Sequence, residues 1–402
     1  MDVRLDERKM LRDCSQVHYQ MRGKRNSWKA MKVVSAEIRR LRVPFQMEFK
    51  HALAARRMTE SVILKLTLDS GVIGYGECVP RKYVTNETTE SVIRSLSSYL
   101  SPVLRDHKFS SLSEVKSFLV GCSLQGAARC AFELALIDAA TRRTGESAHA
   151  LIGPARRSRV HYTAVVPAVS LEWLKRIAIL VRVLGFPAAK IKVGTSDDDV
   201  ERVGLFRRLV GKDVDVRIDA NGAWAPEVAL ERIHALKPFG ISSVEEPTRP
   251  RDLEALTYVA HRSPVPICVD ESLTNLSDAE QLLDRRAGHI FNLRLSKCGG
   301  FFNSMRLAKL AQKNQLRYQI GCQVGETGIL SGAGRCLLMR LDDALHAEGS
   351  YARLLLKRDI TRPVVRFGLG GAARALQGPG LGVNVDADAL SALSVEQVAI
   401  AF

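Results

Sequence analysis

The 402-residue chain predicts an α/β protein whose larger part is a parallel barrel of the (β/α)8 type. From residue 159 onward, short apolar segments alternate with amphipathic segments at a period of about 25 residues. The apolar segments are too apolar for a sheet that turns one face to water, which is typical of parallel strands covered by helices. We therefore expect these strands, each followed by a helix, to close into one barrel.

The strands and helices of this barrel can be assigned in chain order. The predicted strands are 159–167, 188–194, 215–221, 241–247, 266–272, 289–295 and 316–322, with a weaker eighth near 345–349. The predicted helices are 170–184, 198–210, 226–236, 251–261, 277–286, 301–314 and 327–340. A doubly wound open sheet is the alternative, but residues 166–169 after the first strand do not form the glycine-rich phosphate loop usual in that fold.

A smaller α+β unit precedes the barrel. Alternating apolar residues predict an antiparallel meander of three strands, at 32–43, 60–68 and 72–77. Apolar spacing of three and four residues predicts two helices, over 88–104 and 126–144. After residue 365 the chain is rich in glycine, and we expect turns and a last helix over 393–400 that returns to this first domain.

These segments define four parts of the chain. Residues 31–155 form the α+β domain, residues 156–365 the barrel, and residues 366–402 the returning segment. Residues 1–30 hold eight basic against four acidic residues with little apolar periodicity, so we expect a mobile, solvated extension.

The composition excludes several classes of protein. Apolar residues make up 46%, as in ordinary globular proteins. A membrane span needs a run of roughly 18 apolar residues or more, and the sequence has no such run. The N-terminus has no apolar signal core, so we expect a cytoplasmic protein. None of the eight cysteines belongs to a CxxC pair, which argues against a zinc ribbon and suits a reducing compartment.

The charge balance favours anionic partners. Lysine and arginine total 59 against 43 acidic residues, which gives a net charge of +16. Charge alone does not distinguish nucleic acid, a membrane surface and small carboxylates. Aromatic residues are only 6% and no known nucleic-acid motif is present, so nucleic acid is the weaker alternative.

Acidic residues stand at the ends of three successive predicted strands. Asp219, Glu245 and Asp270 follow Lys192 at nearly equal steps along the chain, with one strand–helix unit in each step. The carboxyl ends of barrel strands form one rim, where catalytic residues lie. A single carboxylate there is usually a helix cap or a surface group, but three in register indicate a shared site.

Three carboxylates on one rim repel each other unless a cation neutralises them. Mg²⁺, with Mn²⁺ as an alternative, takes oxygen ligands and leaves positions open for water or substrate. Glu245 and its neighbour Glu246 point to opposite faces of a strand, so only one of them can face the barrel interior.

Two lysines on the second strand supply a candidate base. Lys190 and Lys192 share strand parity, so both side chains point the same way. An ammonium placed beside another ammonium and a metal loses its proton more readily, which makes a usable base. The metal would stabilise the enediolate that forms when a proton α to a carboxylate is removed.

In these motifs the sequence resembles the muconate-lactonizing subgroup of the enolase superfamily, with its muconate cycloisomerases, o-succinylbenzoate synthases and dipeptide epimerases. The likeness extends over about residues 32–390. The matching segments are Lys190-Ile-Lys192, Asp219-Ala-Asn221, Glu245-Glu-Pro247, Asp270-Glu-Ser272, Lys297-Cys-Gly-Gly300, the stretch from Val43-Pro-Phe45 to Gly74-Tyr-Gly-Glu77, and Gly378-Pro-Gly-Leu-Gly-Val383.

The resemblance implies a modified TIM barrel, (β/α)7β, with an N-terminal α+β capping domain, one Mg²⁺ and assembly as a homo-oligomer. It implies that the metal ligands are Asp219, Glu245 and Asp270. It also implies that Lys192 is the base, while Lys190 adjusts that base and contacts the substrate carboxylate.

One position departs from the subgroup. A second lysine on the sixth strand would fall one further strand–helix unit beyond Asp270, where this chain has Arg294. A guanidinium is a poor base but a good carboxylate clamp, so we expect Arg294 in the pocket as a fixed cation. Lys297 has the opposite strand parity and would need the turn that follows it to reach inward as a base or a substrate contact.

Substrate contacts are expected from the barrel rim and from two loops of the capping domain. The loops are 45–49 with His51, and 80–83, in which Arg81 would mark an acidic end of the substrate. On the rim, Asn221 and Glu326 are candidates to bind substrate, although Glu326 could equally cap the following helix.

Three functions are compatible with these residues. The first is a Mg²⁺-dependent isomerase or lyase that performs cycloisomerisation or syn-elimination on a small carboxylate, since Arg294 leaves one base. The second is an epimerase or racemase of dipeptides or N-acyl amino acids, in which the arginine still moves a proton. The third is an inactive basic barrel that binds nucleic acid or a protein; the intact set of carboxylates and lysines argues against it.

Overall fold

The computed structural model describes residues 30–51 and 54–402 of the chain. Residues 1–29 of the predicted basic extension lie outside the described residues. The side chain of His51 lies outside the described part of the chain as well. Of the helices in the described part, none has the length and the apolar character needed to cross a membrane.

The N-terminal domain is an antiparallel sheet covered by helices. Its first three strands are β1 (Met31–His51), β2 (Ala54–Leu68) and β3 (Ile73–Cys78), paired in that order as the predicted meander. The elements that follow are α1 (Lys82–Thr85), α2 (Thr89–Leu104), β4 (Lys108–Phe109), α3 (Leu112–Val120), α4 (Gly126–Thr144) and α5 (His149–Ile152).

Helix α4 packs unusually close to β3. Every residue from Ala127 to Thr141 is buried, and most of them are small. A Cβ added to Gly76 would lie 1.9 Å from the carbonyl oxygen of Ala131, so only glycine permits this approach. The alanine-rich helix that the sequence predicts is therefore the central element of the capping domain.

The barrel begins with a strand that the structure divides in two. Residues 159–167, predicted as one strand, form β5 (Arg159–His161) and β6 (Ala164–Val166). The next elements are α6 (Leu171–Val183), β7 (Ala188–Lys192), α7 (Asp199–Val210), β8 (Asp215–Asp219), α8 (Pro226–Leu236) with a 3-10 turn Lys237–Phe239, and β9 (Ile241–Glu245). They continue with α9 (Leu253–Arg262), β10 (Ile267–Val269), α10 (Leu276–Asp284), β11 (Ile290–Leu293), α11 (Leu295–Cys298), α12 (Phe301–Lys313), β12 (Arg317–Ile320) and α13 (Gly328–Arg340).

Seven parallel strands and one further segment complete the barrel. Strands β6 to β12 are neighbours in chain order in a single parallel sheet. The weak eighth strand predicted near 345–349 is a single bridge, between Ala347 and Ile320. The amide of Thr163 donates to the carbonyl of Ala347 at 2.8 Å, which joins this segment to the start of β6. The fold is the predicted modified TIM barrel with an N-terminal strand-rich domain.

The last part of the chain returns to the capping sheet. Its elements are α14 (Ala352–Leu355), β13 (Thr361–Arg362), a 3-10 turn Leu369–Gly371, β14 (Ala372–Arg374), β15 (Asn384–Val385), α15 (Ala387–Leu393) and β16 (Ser394–Ala401). Strand β16 pairs antiparallel with β1, with Val398 opposite Ile38.

The prediction of a helix over 393–400 is wrong. The helix ends at Leu393, and the following residues form the strand β16. In this short run, Val398 and Ile400 are spaced by two and pack against the core. A short apolar run suits either element, and here the free edge of β1 decides in favour of a strand.

Candidate active site

The strand ends bring the predicted site residues into one row inside the barrel. Lys192 stands opposite Asp219 in the β7–β8 pairing, and Asp219 stands opposite Glu245 in the β8–β9 pairing. Asp270 directly follows β10 and Arg294 directly follows β11. All five side chains are buried. Because neighbouring strands are in register, the side chains share one level of the barrel.

Lysines and carboxylates alternate within this row. The Nζ atom of Lys192 lies 2.6 Å from Oδ2 of Asp219 and 2.7 Å from Oδ1 of Asn221. The Nζ atom of Lys190 lies 3.3 Å from Oδ2 of Asp219 and 3.1 Å from Oε1 of Glu245. Each lysine is therefore held by the carboxylates that the sequence assigns to the metal.

Arg294 reaches the same carboxylates from the other side of the barrel. Its Nη2 contacts Oδ2 of Asp270 and lies 3.7 Å from carboxylate oxygens of Glu245 and Glu271. Its Nη1 donates a hydrogen bond of 3.3 Å to the side chain of Gln323. The guanidinium therefore lies inside the site, where the sequence predicts it.

A second layer of buried charge neutralises Lys190. Glu348, in the eighth segment, lies 2.8 Å from the Lys190 Nζ and also contacts the Arg217 guanidinium. Burial alone raises the pKa of Glu348, but the attraction of Lys190 and Arg217 outweighs it and lowers the pKa to about 2. Burial likewise lowers the pKa of Lys190, yet Glu245, Glu348 and Asp219 hold it well above its usual range. In this arrangement Lys190 is therefore protonated at neutral pH.

Arg294 also stays protonated. Burial lowers the pKa of its guanidinium, but the pull of Glu245, Asp219 and Glu348 is stronger and raises it above the ordinary value. The side of the site opposite Lys192 therefore carries a fixed positive charge.

Asp219, Glu245 and Asp270 offer the oxygen donors that a hard divalent cation prefers. All three carboxylates are fully buried, and Oδ2 of Asp270 accepts no hydrogen bond beyond its close contact with Arg294. Among the described residues, no three acidic, histidine or cysteine side chains surround a common point as a ready metal site. The cations of Lys190, Lys192 and Arg294 lie between the carboxylates and neutralise them. The donor set fits Mg²⁺ in its chemistry.

The two adjacent glutamates at the end of β9 have separate roles. Glu245 faces the barrel and accepts hydrogen bonds from Lys190, Asn292 and Gln319. Glu246 has a positive φ of 38° and turns away, where it accepts hydrogen bonds from the backbone amide of Asp270 and from Ser272. Glu245 is thus the one of the pair that faces the interior.

A cavity of about 420 Å³ opens above this row. Among the candidates that the sequence provides, its lining includes Lys190, Lys192, Asn221, Arg294 and Glu326. The other lining residues are Met47, Glu48, Phe49, Tyr83, Val165, Pro167, Ile177, Leu180, Glu271, Cys322, Gln323, Val324, Gly325, Glu348, Tyr351, Ala352, Leu354 and Leu355. The capping domain contributes through β1 and α1, so both domains form the site.

Two predicted substrate contacts lie outside the cavity lining. The Arg81 guanidinium donates to the backbone carbonyls of Glu60, Pro80 and Val324, and so ties the capping domain to the loop after β12. Lys297 is buried in α11, and its Nζ donates to Oδ1 of Asp270 at 2.8 Å. Both cations therefore lie outside the cavity lining, where Arg81 binds the loop after β12 and Lys297 binds Asp270.

Glu326 lies on the Arg294 side of the cavity. Its carboxylate accepts hydrogen bonds from the Ser331 hydroxyl at 3.1 Å and from the amide of Gln323 at 3.3 Å. Burial first, and then the charge of Glu77, raise the pKa of Glu326 to about 8. Glu326 is therefore a neutral acid at pH 7 with access to the cavity.

Arg217 and Glu348, which form the second layer of charge, were not predicted from the sequence. A signal for Arg217 was present, because it lies two residues before Asp219 on β8 and shares its inward parity. Glu348 gave a weaker signal, since the eighth segment is too irregular for its parity to be assigned from the sequence.

Comparison with known proteins identifies the family to which both domains belong. The family model described as "Enolase C-terminal domain-like" matches residues 173–389, and the model of the mandelate racemase / muconate lactonizing enzyme N-terminal domain matches residues 30–153. The two matches cover the capping domain and most of the barrel, from within α6 onward.

Similar proteins are racemases and epimerases. N-succinyl-L-Arg/Lys racemase of Bacillus cereus is 26% identical over 379 residues, which cover 91% of this chain and 99% of that protein. The crystal structure of that racemase superposes with a TM-score of 0.84 over 92% of this chain and all of its own. D-Ala-D/L-Ala epimerase of Cytophaga hutchinsonii is 30% identical over 294 residues, 72% of this chain and 79% of that protein.

Two further structures show the fold and the ligands that relatives bind. The dipeptide epimerase of Cytophaga hutchinsonii, complexed with Mg and D-Ala-L-Val, has a TM-score of 0.80 and 27% identity over 92% of this chain and all of its own. Muconate lactonizing enzyme of Pseudomonas fluorescens, at 24% identity, shares the fold with a TM-score of 0.82 over 91% of this chain and all of its own. The chain therefore belongs to the enolase superfamily, in the mandelate racemase and muconate lactonizing enzyme group.

Proposed function

We propose that this protein is a racemase or epimerase that removes the proton α to the carboxylate of an N-acyl amino acid or a dipeptide. The observation that carries the proposal is the position of Lys192 and Arg294. Their strands are second and sixth in a barrel of eight positions, so the two side chains enter one cavity from opposite sides. A substrate whose α-carbon lies between them would meet a base on one side and a cation on the other.

Lys192 is the base in this proposal. It lines the cavity, and its Nζ is oriented by Asp219 and Asn221. Two fixed hydrogen-bond partners hold the amine in one direction, which is what proton abstraction from a positioned substrate requires.

Lys190 and Arg294 stabilise the negative charge that develops on the substrate. Both remain protonated and both line the cavity. Preorganised charges in a buried site stabilise a developing anion strongly because they need little reorganisation. Mg²⁺, held by Asp219, Glu245 and Asp270, would add Lewis-acid stabilisation of the carboxylate oxygens.

Inversion also needs a proton donor on the face opposite Lys192. Arg294 does not release its proton readily. Glu326 lies on the same side, lines the cavity, and is protonated at neutral pH because its pKa is about 8. We assign the returning proton to Glu326, with Gln323 connecting it to Arg294.

A one-base isomerase or lyase is the second candidate. The observation that favours it is the cationic Arg294 at the position of a second base, which leaves Lys192 to perform both proton transfers on one face. In syn-elimination one group removes the α proton and protonates the leaving group on the same face, and cycloisomerisation needs a single proton transfer at the α-carbon, so neither reaction needs a second base.

Deuterium exchange separates these functions. The purified protein with Mg²⁺ in D₂O would be incubated with N-acetyl and N-succinyl amino acids and with dipeptides, and the α proton followed by NMR. Exchange with inversion supports the racemase or epimerase. Exchange with retention, or formation of an unsaturated or cyclised product, supports the one-base candidate. No exchange of any carboxylate, with or without EDTA, would contradict both and favour a basic binding protein.

We also infer a reducing, cytoplasmic location. The seven cysteines of the described residues are all free thiols, and six of them are buried. Buried free thiols are typical of proteins that do not meet an oxidising compartment.

A further inference from the structure

The cavity has two chemically different halves. Its floor, at the strand ends, is formed by charged and amide side chains such as Lys192, Asn221 and Arg294. Its other lining residues are mostly apolar, with Glu48 on β1 as a charged residue beside Met47. The apolar lining residues are Met47, Phe49, Val165, Pro167, Ile177, Leu180, Val324, Leu354 and Leu355.

Three residues of the mouth combine lining of the cavity with large exposure. Met47 is 59% exposed, Leu180 is 54% exposed and Leu354 is 61% exposed. They come from β1, α6 and α14, which are far apart in the chain, yet all three lie at one opening. Single exposed apolar residues are common, but several gathered at one cavity indicate a binding surface. We call these three residues the apolar rim.

Hydrogen bonds hold two members of the apolar rim, Met47 and Leu354, in place. The Gln46 side chain donates to the carbonyls of Arg353 and Leu356 at 2.8 and 2.9 Å, which ties β1 to α14. The amide of Lys357 donates to the carbonyl of Pro44 at 2.9 Å. These bonds fix the segments that carry Met47 and Leu354 beside each other.

Cations are confined to the floor of the cavity. Among the described lining residues, the lysines and arginines are Lys190, Lys192 and Arg294, all at the strand ends. A second carboxylate on the distal part of a substrate would meet apolar side chains and the like charge of Glu48, which already pairs with Arg57 at 3.5 Å. An apolar distal group would instead remove the rim residues from water, which is favourable.

We infer that the distal part of the substrate is an apolar acyl group, so that the protein acts on N-acyl amino acids with an aliphatic acyl chain in preference to N-succinyl ones. This inference rests on the proposed function. The occupant of the rim is the substrate's own tail, because the rim is continuous with the cavity whose floor holds the reacting carboxylate. The chain then extends from the floor outward over Met47, Leu180 and Leu354.

A series of acyl chains tests the inference. N-acetyl-, N-butanoyl-, N-hexanoyl-, N-octanoyl- and N-succinyl-alanine would be compared for exchange of the α proton in D₂O with Mg²⁺. Each methylene that is buried should raise kcat/KM by about fourfold, until the chain outgrows the rim. The N-succinyl substrate, similar in length to N-butanoyl, should fall below it by tenfold or more.

Matched variants on one helix locate the effect. Leu180→Gln should reduce the ratio of N-octanoyl to N-acetyl turnover by about tenfold. Ile179→Gln is the control, because Ile179 is 51% exposed on the same helix and does not line the cavity. Both side chains are more than half exposed, so neither variant should disturb folding.

The outcomes separate this inference from the proposed function. If the wild-type protein exchanges neither N-acyl amino acids nor dipeptides, the proposed function fails and the inference fails with it. If it exchanges dipeptides but no N-acyl amino acid, only the inference is overturned. If it exchanges N-acetyl and N-succinyl substrates as fast as N-octanoyl, only the inference is overturned. It is also overturned if Leu180→Gln acts like Ile179→Gln, or if Leu180→Gln alters the sedimentation mass or the binding to lipid vesicles but not the acyl-chain ratio.

Discussion

The floor and the mouth of the cavity differ in the charge and in the exposure of their side chains. The floor places buried cations and carboxylates within about 3 Å of each other, as Lys190 and Glu245 show at 3.1 Å. The mouth leaves Met47, Leu180 and Leu354 half or more exposed. Charges in the floor are fixed by neighbouring charges on adjacent strands, whereas the rim residues have open surface around them. From this difference we infer that the strand ends set the proposed chemistry and that the elements attached around them set the proposed selectivity.

The largest effect should follow from removing the proposed base, Lys192. Lys192→Ala should lower the rate of α-proton exchange by about 10⁴-fold, the upper end of what a general base contributes. Circular dichroism and Mn²⁺ binding, followed by electron paramagnetic resonance, would show whether the fold and metal site persist. Exchange at the wild-type rate in this variant would show that the base lies elsewhere in the floor.

Removing a buried charge of the second layer should destabilise the floor. Glu348→Gln leaves Lys190 and Arg217 without their shared anion, and we expect the free energy of unfolding to fall by about 3–5 kcal/mol. The control is Glu172→Gln, which breaks the exposed pair with Arg176 and should cost less than about 1 kcal/mol. Equal losses in the two variants would contradict the contrast between floor and surface.

The same residue predicts the acid response of the fold. Because the folded pKa of Glu348 is lowered to about 2 from an ordinary 4.5, its contribution to stability is present above pH 4.5 and is lost as the pH falls toward 2. Glu348→Gln should therefore show a flatter fall in unfolding free energy over that range in urea titrations. An unchanged slope would show that Lys190 and Arg217 do not lower the pKa of Glu348.

Glu326 should control inversion more than exchange. Its pKa of about 8 keeps it protonated at neutral pH, so the rate of inversion should fall as the pH rises through about 8. Glu326→Gln should lower the rate of inversion by about 10²-fold and remove its decline with rising pH. Exchange on the Lys192 face should continue. Parallel losses of exchange and inversion in the variant would indicate a purely structural role.

The smallest effect should come from exchanging one cation for another. Arg294→Lys keeps the charge but supplies a group able to give up a proton, so the ratio of inversion to exchange should rise by about tenfold. The affinity for Mn²⁺ should change less than this ratio. A change in metal affinity without a change in stereochemistry would place Arg294 outside the chemistry and inside the metal site.

The floor was largely predictable from the sequence. One carboxylate per strand–helix unit, at nearly equal steps along the chain, is a local property, and register between parallel strands turns equal spacing into a common level. The departure at Arg294 was visible for the same reason, since it falls one unit beyond Asp270. Strand parity also predicted that Glu245 and Glu246 point to opposite faces, so that only one of them faces the barrel interior.

The rest depended on contacts between distant parts of the chain. Arg81 has the sequence position of a substrate contact, yet backbone carbonyls of the capping domain and of the loop after β12 enclose it. Strand β16 formed because β1 had a free edge, which no local pattern reveals. Glu348 reaches Lys190 only because an irregular eighth segment closes the barrel.

The sequence by itself thus determined the order of the barrel strands, the row of charges at their ends and the arginine within it, because these follow from local periodicity. The tertiary structure alone decided which charges neutralise each other and which apolar side chains meet at the mouth. Met47, Leu180 and Leu354 lie in three widely separated segments of the chain, and only closure of the barrel under its capping domain brings them to one opening.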